Sequence, residues 1–182
     1  MNWINEIDDV TRNIKQNFLH LNNEQLNWQP NAKTWSIAQN LEHLIVVNET
    51  YYPVLTALKV GTYKTPFIAK INFIVSFLGA EVLKAVQPDR KRKMKTFPIW
   101  EPGKIKTDED ILKRFEIHQN ELKQKIANAK ELVEKGIVIS SPANRNIVYK
   151  LETAFDIIVR HEQRHLEQAK EVLLLLEKLP EY

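Results

Sequence analysis

The chain has 182 residues, 43% of them apolar and 27% charged, with a formal net charge of +3. That is an ordinary globular balance, and the length fits one domain with a substantial core. The lack of cysteine excludes disulfides, cysteine-held zinc or iron–sulfur clusters and thiol nucleophiles, so any metal must be held by His, Asp or Glu.

Only four glycines are present, and long stretches are rich in Leu, Ile, Ala, Glu and Lys, which argues for helices over a turn-dense β protein. The opening MNWINEIDDV is acidic and broken by polar residues, unlike a signal peptide. With the absence of cysteine it fits a cytoplasmic protein. Most of the net positive charge sits in one run, Arg90–Lys91–Arg92–Lys93 with Lys95. A nucleic-acid binder more often spreads its charge over a face, so nucleic acid is not the expected partner, although Phe97 and Trp100 lie near enough to stack bases.

In chain order, Ile4, Ile7, Val10, Ile14, Phe18 and Leu21 recur at intervals of three and four, predicting a first helix over Trp3 to Leu21. A polar connection follows from Asn22 to Thr34. A second helix begins at Ser36, which forms a capping box with Gln39, and Pro53 kinks it or ends its regular part. Pro66 to Val86 is the most apolar segment. Lys70, Glu81 and Lys84 interrupt it, leaving too short a run to span a membrane. Its stripe of Ile68, Ile71, Val75, Leu78, Val82 and Ala85 predicts a buried or partly buried helix, with a dimer-facing or lipid-facing helix as the alternative. After the basic loop, a third main helix starts near Thr107–Asp110 and runs to about Lys135, where Gly136 ends it. Ile137–Ser141 reads as a short β-like patch. The last helix runs from Tyr149 to Leu179, stopped by Pro180. The sum is an all-α four-helix bundle in one domain, residues 1–182, with an inserted helix and basic loop at about 62–105 between helices 2 and 3.

His161 and His165 lie four apart on the last helix, about 40° apart around its axis. This spacing lets two imidazoles reach one ion; the alternative is an exposed polar pair. Ala154, Ile158 and Val172 share their stripe, as does Gln168, so the pair looks inward, where imidazoles without partners are costly. Zinc and similar ions take at least three protein ligands. His43, mid-helix among Leu41, Leu44, Val46 and Val47, is the best third candidate, against a core histidine bonded to a carbonyl. His20 reads as a helix-end residue and His118, in the polar stretch HQNE, as solvent-exposed. The string His161-Glu162-Gln163-Arg164-His165 also matches the H-E-x-x-H protease motif, in which the glutamate is a general base. Here Glu162 projects about 80° from the mean direction of the histidines, and Glu171 about 120° away on an unbroken helix. The protease reading is therefore set aside.

Two longer motifs go further. Leu26-x-Trp28-x-Pro30 precedes Trp35-Ser36-Ile37-Ala38-Gln39-Asn40-Leu41-x-His43-Leu44, and the chain closes on His161-x3-His165-Leu166-x-Gln168. With one histidine on the second helix and two on the last, the chain resembles the DinB/YfiT-like superfamily of helical-bundle metalloproteins. The resemblance implies a divalent metal held by His43, His161 and His165, zinc or nickel first and iron also suitable. It implies homodimers and either hydrolase chemistry or transfer to a low-molecular-weight thiol; no membrane association is expected, since charges interrupt the apolar segment. In that setting Asn40 and Gln168 are the candidates to orient water or the ligand imidazoles. A non-catalytic metal-binding or stress-response module is the alternative.

Overall fold

The computed structural model describes residues 1–89, 96–102 and 110–179. The basic run Arg90–Lys95, Thr107 and Pro180 lie outside these residues. The fold is predominantly helical. Four long helices carry it: α1 (Trp3–Phe18), α3 (Ile37–Glu49), α6 (Ile111–Ala127) and α8 (Leu151–Leu176). Helix α1 packs on α6 and α8, and α3 packs on the same two, which closes a four-helix bundle.

Local chemistry sets the helix ends. The Ser36–Gln39 capping box opens α3, as its sequence requires. A second box, Asn22 with Gln25, starts the short helix α2 (Asn23–Asn27) inside what the sequence presents as a polar connection. Pro53 lies in the first turn of α4 (Tyr52–Lys59), where a missing N–H costs nothing. The chain therefore breaks between α3 and α4 and starts again, rather than kinking. Asp110 caps α6. That helix stops at Ala127, and a short α7 (Lys130–Glu134) completes the stretch before Gly136, whose φ of +64° suits glycine.

The sequence reading is corrected at the hairpin. A strand β1 (Val138–Ser141) occupies the expected β-like patch, but it pairs antiparallel with a second strand, β2 (Asn144–Lys150). Tyr149 therefore lies in β2, opposite Ile139, and α8 begins only at Leu151. The run Ile147-Val148-Tyr149 is β-branched and aromatic, and its pairing buries Val148 and Tyr149.

Most of the insertion folds as helix α5 (Asn72–Ala85), preceded by a 3-10 turn (Phe67–Lys70). It lies against β2 and α8. Gly79 permits the close approach: a Cβ there would sit 3.1 Å from Tyr149 Cβ and 3.2 Å from Thr153 Cγ2. Arg164 on α8 holds the far end, donating from its guanidinium to the Gln87 carbonyl at 3.0 Å. No helix among the described residues is long and apolar enough to cross a membrane.

The bundle core is not continuous. One apolar cluster gathers Ile14, Leu41, Leu44, Phe115, Leu166 and Val172; another gathers Ile7, Leu55, Leu122, Ile126, Phe155 and Ile158. Along α3, α6 and α8 the residues between these clusters are polar and buried: Asn48, His118, Gln119, Glu162 and His165. The candidate site lies in this layer.

Candidate metal centre

His43 on α3 and His161 and His165 on α8 converge, each offering one ring nitrogen, and the three nitrogens lie within 4.8 Å of one another. His161 Nε2 lies 3.3 Å from His43 Nε2 and 3.1 Å from His165 Nε2. Three imidazoles about 2.0–2.1 Å from one tetrahedral ion hold their nitrogens about 3.3 Å apart, so the spacing fits a shared cation.

Their other nitrogens settle the tautomers. His43 Nδ1 donates to the Trp100 carbonyl at 2.6 Å. His165 Nδ1 donates to Asn40 Oδ1 at 2.8 Å, while Asn40 Nδ2 donates to the Ser36 carbonyl at 2.9 Å. That second bond fixes the orientation of the Asn40 amide and leaves its oxygen as the acceptor. Two lone pairs at Nε2 therefore face His161, whose single Nε2 proton can satisfy only one of them. Fixing a ligand histidine through its far nitrogen also raises its basicity and holds its plane. Burial pushes the His43 imidazole down to about 4 and holds His161 well below its ordinary value. Both rings stay neutral at pH 7, the form that ligates a metal.

Trp35 covers the cluster, stacked on His165 with ring centroids 5.8 Å apart and tilted against His43 at 4.9 Å. His43 and His165 are buried, and His161 is half-buried. The insertion contributes directly, because Trp100, on the 3-10 turn Pro98–Trp100, supplies the carbonyl that holds His43. Of the two residues expected to assist, Asn40 bonds a histidine. Gln168 is half-buried, and none of the described hydrogen bonds ties it to an imidazole. Asn40→Ala is expected to weaken metal binding about 10- to 100-fold with the three histidines intact, measured by competition with a chromophoric chelator.

Glu162, the glutamate of the H-E-x-x-H string, turns away from this cluster. It is fully buried and accepts from Asn48 Nδ2 and Gln119 Nε2, each at 2.8 Å. Asn48 Nδ2 also lies 3.3 Å from His118 Nε2. His118 is only 4% exposed, which corrects its reading as a surface residue. The signal was present: Ile111, Phe115, His118, Leu122 and Ile126 form one inward stripe of α6. His20, by contrast, is exposed as expected.

These buried groups give the metal-free protein a defined pH response. Burial pushes His43 and His118 down to about 4, from 6.5 when unfolded. Their contribution is complete above pH 6.5 and is lost as pH falls through about 4. Burial pushes Glu162 up to about 7, from 4.5. Its contribution runs the other way, complete below pH 4.5 and lost as pH rises through about 7. His161, held well below its ordinary value by burial, adds to the other two histidines, so between pH 4.5 and 6.5 the three histidines outweigh the one glutamate by two protons. Chelator-treated protein should therefore gain roughly 2–3 kcal/mol per pH unit across that window. Denaturant titrations at several pH values check this; stability falling across the window contradicts it.

A helical bundle with three histidines from two of its long helices, their Nε2 atoms gathered at one point, defines a helical-bundle protein with a candidate metal centre. The chain belongs to the DinB superfamily, whose family model matches residues 6–169. Over 42 residues it is 43% identical to a protein of Oceanobacillus iheyensis described as a "putative metal-dependent hydrolase", a stretch covering 23% of this chain and 24% of that relative. The chain thus matches about a quarter of that curated relative's length. No solved structure gives a significant match.

Proposed function

We propose that the chain is a metal-dependent enzyme in which His43, His161 and His165 hold one divalent ion through Nε2 and activate a small nucleophile, water in the first instance. The observation that carries this reading is the tautomer chain: Ser36 to Asn40 to His165, and Trp100 to His43, present unprotonated Nε2 nitrogens to a common point. Three neutral ligands leave a bound ion its full charge and open positions, which lowers the pKa of coordinated water or thiol to about 7. The protein's own residues do the rest: Asn40 and the Trp100 carbonyl orient the ligands, and Trp35 shields His165 from water.

The Oceanobacillus relative's description favours hydrolysis; the same open coordination would also accept a low-molecular-weight thiol. Nothing near Glu162 suits it as a base, since both its oxygens are engaged by amides. The test is a panel of ester, amide and thiol-transfer substrates with metal-loaded protein, alongside calorimetric titration of a low-molecular-weight thiol. Turnover that disappears with chelator and in His161→Ala supports the reading. Thiol binding that requires metal moves it to the transferase version. Turnover indifferent to both chelator and His161→Ala overturns it.

A further inference from the structure

Helix α5 is docked on one side and bare on the other. Val75, Gly79 and Ala85 are buried against the hairpin and α8. On the opposite side Phe73 is 78% exposed and Phe77 56%, their rings stacked with centroids 6.3 Å apart. Four residues apart, they share one stripe of the helix, and Lys84 continues it two turns on. On the turn before, Phe67 is 77% exposed and Ile71 42%, with Lys70 5.8 Å above the Phe67 ring. Lys64, Lys70 and Lys84 are all exposed. Between residues 59 and 88 the chain carries four lysines and a single acid, Glu81, which is half-buried and engaged in an interaction.

Exposed aromatics ringed by cations on a helix too short to span a bilayer are the features of an element that lies in a membrane interface. A second copy of the chain is the poorer occupant. Pairing this face with itself would bring lysines against lysines with only the half-buried, already engaged Glu81 to offset them, a repulsive arrangement. An anionic lipid surface instead satisfies the cations and takes the rings. We propose that the outward face of α5, through Phe73, Phe77, Phe67 and Ile71 with Lys64, Lys70 and Lys84, seats the protein on an anionic membrane surface. This departs from the expectation of no membrane association, and it stands independently of the metal reading.

The test is flotation of the full chain with vesicles of phosphatidylcholine alone and with about 30 mol% phosphatidylglycerol. The expected result is at least roughly tenfold more protein on the anionic vesicles, weakened in about 0.5 M NaCl. Phe73→Ser/Phe77→Ser should reduce that binding roughly tenfold or more, with the circular dichroism melt unchanged because both side chains face solvent. Lys70→Glu/Lys84→Glu should remove the preference for anionic lipid. Absence of binding to anionic vesicles, or binding indifferent to both variants, overturns the proposal. So does a wild-type dimer that becomes monomeric in Phe73→Ser/Phe77→Ser, which would assign the face to a second copy.

Discussion

Glu162→Ala is expected to destabilise the fold by about 2–6 kcal/mol, lowering the melting temperature by roughly 4–24 °C, although Glu162 holds no metal and sits next to a residue that would. The loss has two sources. The side chain leaves a void in a fully buried position, and it strands the amide donors of Asn48 and Gln119, which point at its two oxygens from α3 and α6. Buried donors without acceptors cost about 1–3 kcal/mol each. Glu162→Gln separates charge from shape. Its amide keeps an acceptor and adds a donor, and Asn48 Oδ1 and Gln119 Oε1 are both buried without partners, so the new N–H₂ has somewhere to go. That variant should lose about 1 kcal/mol or less and should drop the glutamate's contribution to the pH profile between 4.5 and 7. Thermal melts of both variants check this. The opposite pattern, with Glu162→Gln fully stable but catalytically dead, would return the glutamate to the role the H-E-x-x-H string first suggests.

The second large effect concerns the metal itself. The three histidines come from α3 and α8, separated by more than a hundred residues of chain. An ion bound there ties two helices together and favours the folded state over the unfolded one. Free metal at about a thousand times its dissociation constant adds about 4 kcal/mol, a rise of roughly 8–16 °C in melting temperature. In His161→Ala, with the nitrogen nearest both others removed, most of that rise should vanish. His118→Ala, which leaves the three converging nitrogens in place, should keep it. The contrast matters because His118 lies in the same buried polar layer as His165. Differential scanning fluorimetry across a metal titration distinguishes them, and a shift of equal size in both variants would show that the ion binds elsewhere.

What the sequence could reveal followed the range of each interaction. The helical stripes, the Ser36–Gln39 cap and the i, i+4 histidine pair are local, set by 3.6-residue periodicity and by groups three or four residues apart. They were legible, and so was the inward direction of His161 and His165, through Ala154, Ile158 and Val172. His118 was misread because its immediate neighbours are polar, although the longer stripe from Ile111 to Ile126 points inward. The hairpin was half legible. Ile137–Ser141 has strand character, but the claim of Val148 and Tyr149 on β2 rather than on the last helix depends on pairing across the turn and on packing under α5. The Trp100 carbonyl lay beyond sequence reasoning altogether. It is a backbone group on the insertion, 57 residues from the histidine it holds, and no side-chain pattern announces it. The same holds for the Asn48–Glu162–Gln119 contacts, which join three helices across the polar layer that divides the apolar core.

The central claim is that His43, His161 and His165 share one metal ion, and elemental analysis of the purified protein tests it most directly. Wild-type protein, dialysed free of loose metal, should carry close to one divalent ion per chain. The His43→Ala/His161→Ala variant, shown by circular dichroism to remain helical, should carry essentially none. A wild-type protein holding no more metal than that double variant contradicts the account.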